Sequence, residues 1–178
     1  MANLSHLSEG EMKEILMLQE RLSLLDTQHK AKDSFMEYIR YIWPGFIEGD
    51  HHRIIAEKLT RVAKGELKRL IVNMPPRHTK SEFASIYFPS WVMGLNPDMK
   101  IMQTTHTADL SINFGRKVRN LMDSDEYSNI FSKVSLASDS KSAGKWQTSQ
   151  GGEYFAAGVG GAIAGRGADL LIIDDPHS

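Results

Sequence analysis

The sequence predicts an α/β fold in which a parallel-sheet core follows an N-terminal helical region. Up to about residue 65 the apolar residues recur at helical spacing. From Leu70 onward short apolar runs alternate with helical ones, and two of them, Leu70–Met74 and Leu170–Ile173, are as continuous as strands buried on both faces. The expected organisation is a helical region over 1–65 and a sheet-bearing core over 66–178, within a length of 178 residues that suits one hydrophobic core.

Ser8-Glu-Gly-Glu11 has the form of a capping box and opens a helix over about residues 9–29, with Met12, Ile15, Leu16, Leu22 and Leu25 in register. Phe35, Ile39, Ile42 and Trp43 share one face of a second helix that Pro44-Gly45 ends. A third starts at Asp50 and carries Ile54, Ile55, Leu59, Val62 and Ala63. The Leu70–Met74 strand runs into Pro75-Pro-Arg-His-Thr-Lys-Ser81. A helix then begins near Lys80 and continues through Phe83, Ala84, Tyr87 and Trp91, with a kink expected at Pro89. After the turn Asn96-Pro97-Asp98 come a strand at Lys100–Thr104 and a helix capped by Thr107, with Leu110, Phe114, Val118 and Leu121 inward. Strand-like pieces follow at Val134–Ala137, Lys145–Thr148 and Tyr154–Ala157, then the buried run Ala168–Ile173 before Asp174-Asp-Pro-His177.

Composition narrows the function classes. Without cysteine there is no disulfide framework, thiolate zinc site or iron–sulfur cluster, which suits a reducing compartment. A net charge of −1, from 21 Lys+Arg against 22 Asp+Glu, argues against a generally basic DNA coat, so any nucleic-acid contact is a local patch. No apolar run approaches the roughly 20 residues of a membrane span, and the acidic N-terminus lacks the form of a signal peptide. The basic groups around Arg53–Arg69 and Arg116–Arg119 read as solvated helix faces. His51 and His52 lack partners at metal-ligand spacing, which leaves polar packing or an adenine edge.

The chemistry-bearing residues centre on the strand, the loop Pro75–Lys80 and the helix after it. A helix N-terminus offers unpaired N–H groups and a partial positive charge to an anion. In such a loop Pro76, Arg77, His78 and Thr79 surround the phosphates, Lys80 reaches the β- and γ-phosphates of ATP, and the Ser81 hydroxyl ligates Mg²⁺. The common pattern G-x-x-x-x-G-K-[ST] carries glycine where this chain has Met74 and Thr79, so a solvated Lys-Ser at an ordinary helix start is the alternative. The second signal is Leu170-Leu-Ile-Ile-Asp-Asp175, an apolar strand ending in two acids. Asp174 there would join the Mg²⁺ shell and Asp175 would orient the attacking water. Arg77 inside the loop and Arg166 in Gly165-Arg-Gly167 are candidates to stabilise charge on the transferred phosphoryl group, or are surface charges.

Taken together, Trp43-Pro44, His51-His52-Arg53, Lys68 to Ser81, Gly151 to Gly161 and Gly165 to His177 resemble the large terminase subunit of tailed bacteriophages, in that family's order and spacing over about residues 35–178. The resemblance implies the ATPase part of a motor that packages double-stranded viral DNA, with a P-loop fold of the additional-strand (ASCE) class. It makes Lys80 and Ser81 the Walker A pair, Asp174 the metal-shell acid, Asp175 the catalytic carboxylate and Arg166 a candidate finger acting on a neighbouring subunit. It further implies the portal of the procapsid and a small terminase subunit as partners, a homo-oligomeric ring when full length, and a place in the host cytoplasm rather than a membrane. Thr79 replaces the family's usual glycine, and Asp175 stands where many relatives have glutamate. Relatives continue past the acidic strand into a further strand, a coupling motif and a nuclease domain, so the chain is expected to be an N-terminal piece. The competing expectations are a fragment of a helicase of the DExH kind, from the D-x-x-H outline of Asp174–His177, and a non-catalytic nucleotide-binding assembly module.

Overall fold

The computed structural model describes residues 8–139, 142–161, 163 and 165–177. Three helices, α1 (Glu9–Asp33), α2 (Phe35–Ile42) and α3 (Asp50–Ala63), precede a π-helical turn (Glu82–Tyr87) that runs into α4 (Phe88–Leu95). Then come β1 (Lys100–Thr105), α5 (Ala108–Met122), α6 (Asp125–Ile130), β2 (Lys145–Gln147), β3 (Glu153–Gly158) and β4 (Leu170–Ile173). The four strands form one α/β sheet in the order β2-β3-β1-β4. β3, β1 and β4 are parallel and β2 is antiparallel, with Lys100 opposite Glu153 and Thr104 opposite Ile173. Among the described residues no helix is long and apolar enough to cross a membrane.

Local sequence explains most of these boundaries. The Ser8 capping box forms as expected: Glu11 N–H donates to Ser8 Oγ and Ser8 N–H to the Glu11 carboxylate. Thr107 caps α5 by accepting from Leu110 N–H at 3.3 Å. The kink expected at Pro89 takes the form of a change in helical register. Proline has no N–H and crowds the carbonyl one turn back, and the wider turn before it, with Phe88 N–H bonded to Phe83 O, supplies the room. Gly158 ends β3 where a Cβ would lie 2.6 Å from Ala108 N, so only glycine fits beneath the start of α5.

One core joins the helical region to the sheet. The Phe35 ring lies 5.4–5.7 Å from those of Phe83, Phe88 and Trp91. The polar ends of the large aromatics find partners: Trp91 Nε1–H donates to Ala31 O at 2.9 Å, Tyr38 OH pairs with Ser90 Oγ at 2.7 Å, and Tyr127 OH donates to Ser90 O. In the same core, toward the β2 edge of the sheet, Trp146 stacks on Tyr154 at 4.9 Å and donates from Nε1 to Gly115 O of α5.

Four expectations need correction. Leu70–Met74 forms no strand: it has no strand ladder among the described residues, and packs Leu70, Val72 and Met74 on the core while Ile71 and Asn73 face out. A cavity of about 840 Å³ separates this segment from the free edge of β4, so the two backbones do not pair with each other. For the same reason β4 is an edge strand and not one buried on both faces; Leu171 and Ile173 stay exposed beside buried Ile172. α1 extends to Asp33, but Leu16, Leu22 and Leu25 are exposed and Ala31 is its one buried residue, so among the described residues no element covers the apolar stripe of those leucines. Val134–Ala137 contributes a single bridge, Leu136 to Thr148, and α6 forms between the Thr107-capped helix and Val134, where no element was expected.

Truncating the ring at the centre of this core tests the packing. Phe35→Ala is expected to destabilise the chain by about 3–5 kcal/mol in chemical denaturation, the usual range for a buried phenylalanine. A loss below about 1 kcal/mol would show that the helices do not share the sheet's core.

Candidate phosphate-binding site

The loop Pro75–Lys80 enters the helix at its N-terminus, and the loop's backbone is unusual. Arg77 (φ 65°) and Thr79 (φ 61°) are both left-handed, with His78 between them. Alternation of handedness is the pattern of backbone nests, in which successive N–H groups converge on an anion. The first helical bond, Phe83 N–H to Thr79 O, fixes the helix start immediately after. A cleft of about 410 Å³ is lined by residues 74–82 together with Asp175.

β4 delivers the acids. Its ladder to β1 continues one residue past the strand, Asp174 N–H bonding Thr104 O at 2.9 Å, and His106 N–H then donates to Asp175 O at 3.1 Å. Asp174 is buried at 5% exposure while Asp175, left-handed at φ 43°, faces solvent. Lys80 bridges loop and strand: its Nζ lies 3.2 Å from Asp174 Oδ1 and contacts Asp175 Oδ1. Burial by itself lowers the Lys80 pKa, but the hydrogen bonds from Asp175 and Asp174 outweigh it and hold the ammonium above its ordinary value.

Behind Asp174 lies a buried relay that sequence reading did not single out. Ser85 Oγ donates to Asp174 Oδ2 at 2.9 Å, and Gln103 Nε2 donates to Ser85 Oγ at 3.1 Å. Its signal was a glutamine among the apolar and hydroxylated residues that follow Lys100 in β1.

Of the sequence-predicted residues, the structure brings Pro76, Arg77, His78, Thr79, Lys80, Ser81 and Asp175 to one cleft, with Asp174 against Lys80. It does not bring Arg166 there. The Arg166 guanidinium covers the Phe155 ring at 3.9 Å and lies 3.4 Å from Glu153 Oε1, at the end of the sheet where β1 begins; the acids lie where β1 ends. Comparison with family models, with curated proteins and with solved structures gave no match. The assignment therefore rests on the geometry and the sequence motifs. No group of three or more His, Asp or Glu side chains among the described residues is placed to hold a metal ion by itself.

His52 joins this site from α3. Buried at 6% exposure, it has a pKa below the ordinary value, chiefly from burial and then from the neighbouring His51, opposed by Glu48. The folded state thus excludes a proton that the unfolded chain accepts. The stability this contributes is full above the unfolded pKa near 6.5 and falls as pH drops below it. Denaturation between about pH 8 and about pH 5 should show wild type losing more stability than His52→Phe; equal losses would contradict the neutral buried imidazole.

Proposed function

We propose that this chain is the ATP-binding and ATP-hydrolysing part of a viral DNA-packaging motor of the terminase kind, with a P-loop fold of the additional-strand class. The observation that supports this most is the convergence of Lys80 with Asp174 and Asp175. A lysine at a helix start and two acids at the end of a parallel strand meet across the chain, as phosphoryl transfer requires.

In this reading the residues divide the work. Past Pro76, which has no N–H to give, Arg77, His78 and Thr79 offer backbone N–H groups to the phosphates, and Lys80 turns from the acids to the β- and γ-phosphate oxygens. Asp175, released from Lys80, accepts a hydrogen bond from the water that attacks the γ-phosphorus, and the bond to the bridging oxygen of ADP breaks. Arg77 projects from the loop toward the charge that develops on the phosphoryl group. Mg²⁺, when bound, would neutralise phosphate charge. It takes few protein ligands besides phosphate and water, so the hard oxygens of Asp174 and Ser81 fit it without a larger cluster. Arg166 is tied to its own sheet, so a role as a finger is one exerted on a neighbouring subunit of a ring. Double-stranded DNA, the procapsid portal and the small terminase subunit are the partners proposed with this function, and the host cytoplasm its location.

Titrating MgATP against variants tests the reading. Lys80→Ala should weaken binding at least tenfold, about the contribution of one charge-assisted contact. Asp174→Asn should remove the Mg²⁺ dependence of binding, while Asp175→Asn should bind as wild type and lose turnover in the assembled motor. Equal affinity of Lys80→Ala and wild type would overturn the site, and binding with no turnover under any condition would favour the assembly module.

A further inference from the structure

The left-handed Thr79 raises a question that the phosphate reading leaves open. A β-branched residue is a poor occupant of positive φ, and glycine would take that conformation without strain. Something outside the loop must hold Thr79 there. The structure places His52 against it, with Nε2 2.7 Å from Thr79 Oγ1.

The direction of this contact follows from donor and acceptor accounting. Gly49 N–H points at His52 Nδ1 at 2.9 Å, and a backbone N–H can only donate, so Nδ1 carries no proton. The proton of the neutral ring is then on Nε2, which donates to Thr79 Oγ1. The threonine hydroxyl in turn donates to His78 O at 2.6 Å. One hydrogen-bonded chain therefore runs from the first turn of α3 through the imidazole to the loop backbone, with every donor used once. The ring is itself held in place: it stacks on Phe83, from the helix after the loop, at 5.1 Å, and meets the edge of Phe46 at 4.8 Å. The titratable groups facing it are His51, with its ring at 3.8 Å, His78 from the loop, and Glu48, which Arg40 and Arg53 already engage.

We propose that His52 is a positioning residue of the phosphate loop: the neutral imidazole clamps the Thr79 hydroxyl and so holds the left-handed backbone that a glycine would adopt unaided. The proposal rests on the reading of the loop as a phosphate site. Histidine and threonine form one device, and removing the need for it at position 79 makes the histidine dispensable. A residue that merely fills space between Phe46 and Phe83, or that touches nucleotide directly, would not behave in this way.

The test is a double-mutant cycle on the whole chain, read by calorimetric titration with MgATP. His52→Phe keeps an aromatic ring between Phe46 and Phe83 but cannot donate. It should weaken binding roughly tenfold, the scale of one lost hydrogen bond. In the Thr79→Gly background the same change should cost less than about twofold, and recovery of affinity in that double variant shows that it folds. Long-range ¹⁵N–¹H correlation spectra on wild type should report His52 as the Nε2–H tautomer near neutral pH. A tenfold loss in both backgrounds, or an Nδ1–H or doubly protonated ring, would overturn the clamp and leave the phosphate reading standing. A wild-type chain that binds no MgATP would remove the phosphate reading and the proposal with it.

Discussion

A carboxylate buried as deeply as Asp174 has to be compensated, and the way this chain compensates it organises the centre of the molecule. Asp174 receives Lys80 on one oxygen and Ser85 on the other, while its own N–H completes the ladder to β1. A buried acid stripped of a partner loses far more than an exposed pair gains, so these contacts fix the relation between loop, helix and strand end. Lys80 can serve two masters because Asp175 is exposed. In the resting arrangement both acids hold the ammonium; under the proposed function an incoming phosphate would compete with the exposed Asp175 as well as with the buried Asp174.

The remaining scaffold can be understood as support for that junction. α2 and α4 bring Phe35, Phe88 and Trp91 together behind the loop, which gives the helix carrying Lys80 and Ser81 a rigid backing. The π-helical turn sits between the loop and Pro89, and it carries both Ser85, which faces Asp174, and Phe83, which stacks on His52. Wide turns of this kind are concentrated at functional positions because they redirect side chains without ending a helix. The same turn thus links the acid on one side of the site and the imidazole on the other.

Much of this was legible in the sequence, and the failures have physical causes. α2, α3, β1, α5 and β4 were visible because caps, helical spacing and short apolar runs are local signals. Lys80, Asp174 and Asp175 were read from the sequence as parts of one nucleotide site, and they come into contact although the strand expected ahead of the loop does not form. Leu70–Met74 has the residues of a strand, but strand status depends on a partner backbone, and the neighbouring space holds a cavity instead. The apolar residues of α1 were correctly spaced for a helix, yet spacing does not say what covers them. His52, Ser85 and Gln103 matter through contacts between segments distant in sequence, which no local pattern encodes. Arg166 was read from its glycine neighbours, and those glycines leave it free to fold back on Phe155 and Glu153.

The central claim is that the loop and the acidic strand end form a single anion site. Amide hydrogen exchange with and without MgATP addresses it most directly, since bound phosphate would engage the loop N–H groups and fix the strand end together. The account predicts slowed exchange in residues 77–81 and in residues 174–175 at the same nucleotide concentration, with α1 unchanged. Protection confined to the walls of the apolar cavity beside Leu70 and Leu170, or protection of the loop without the acids, would contradict it.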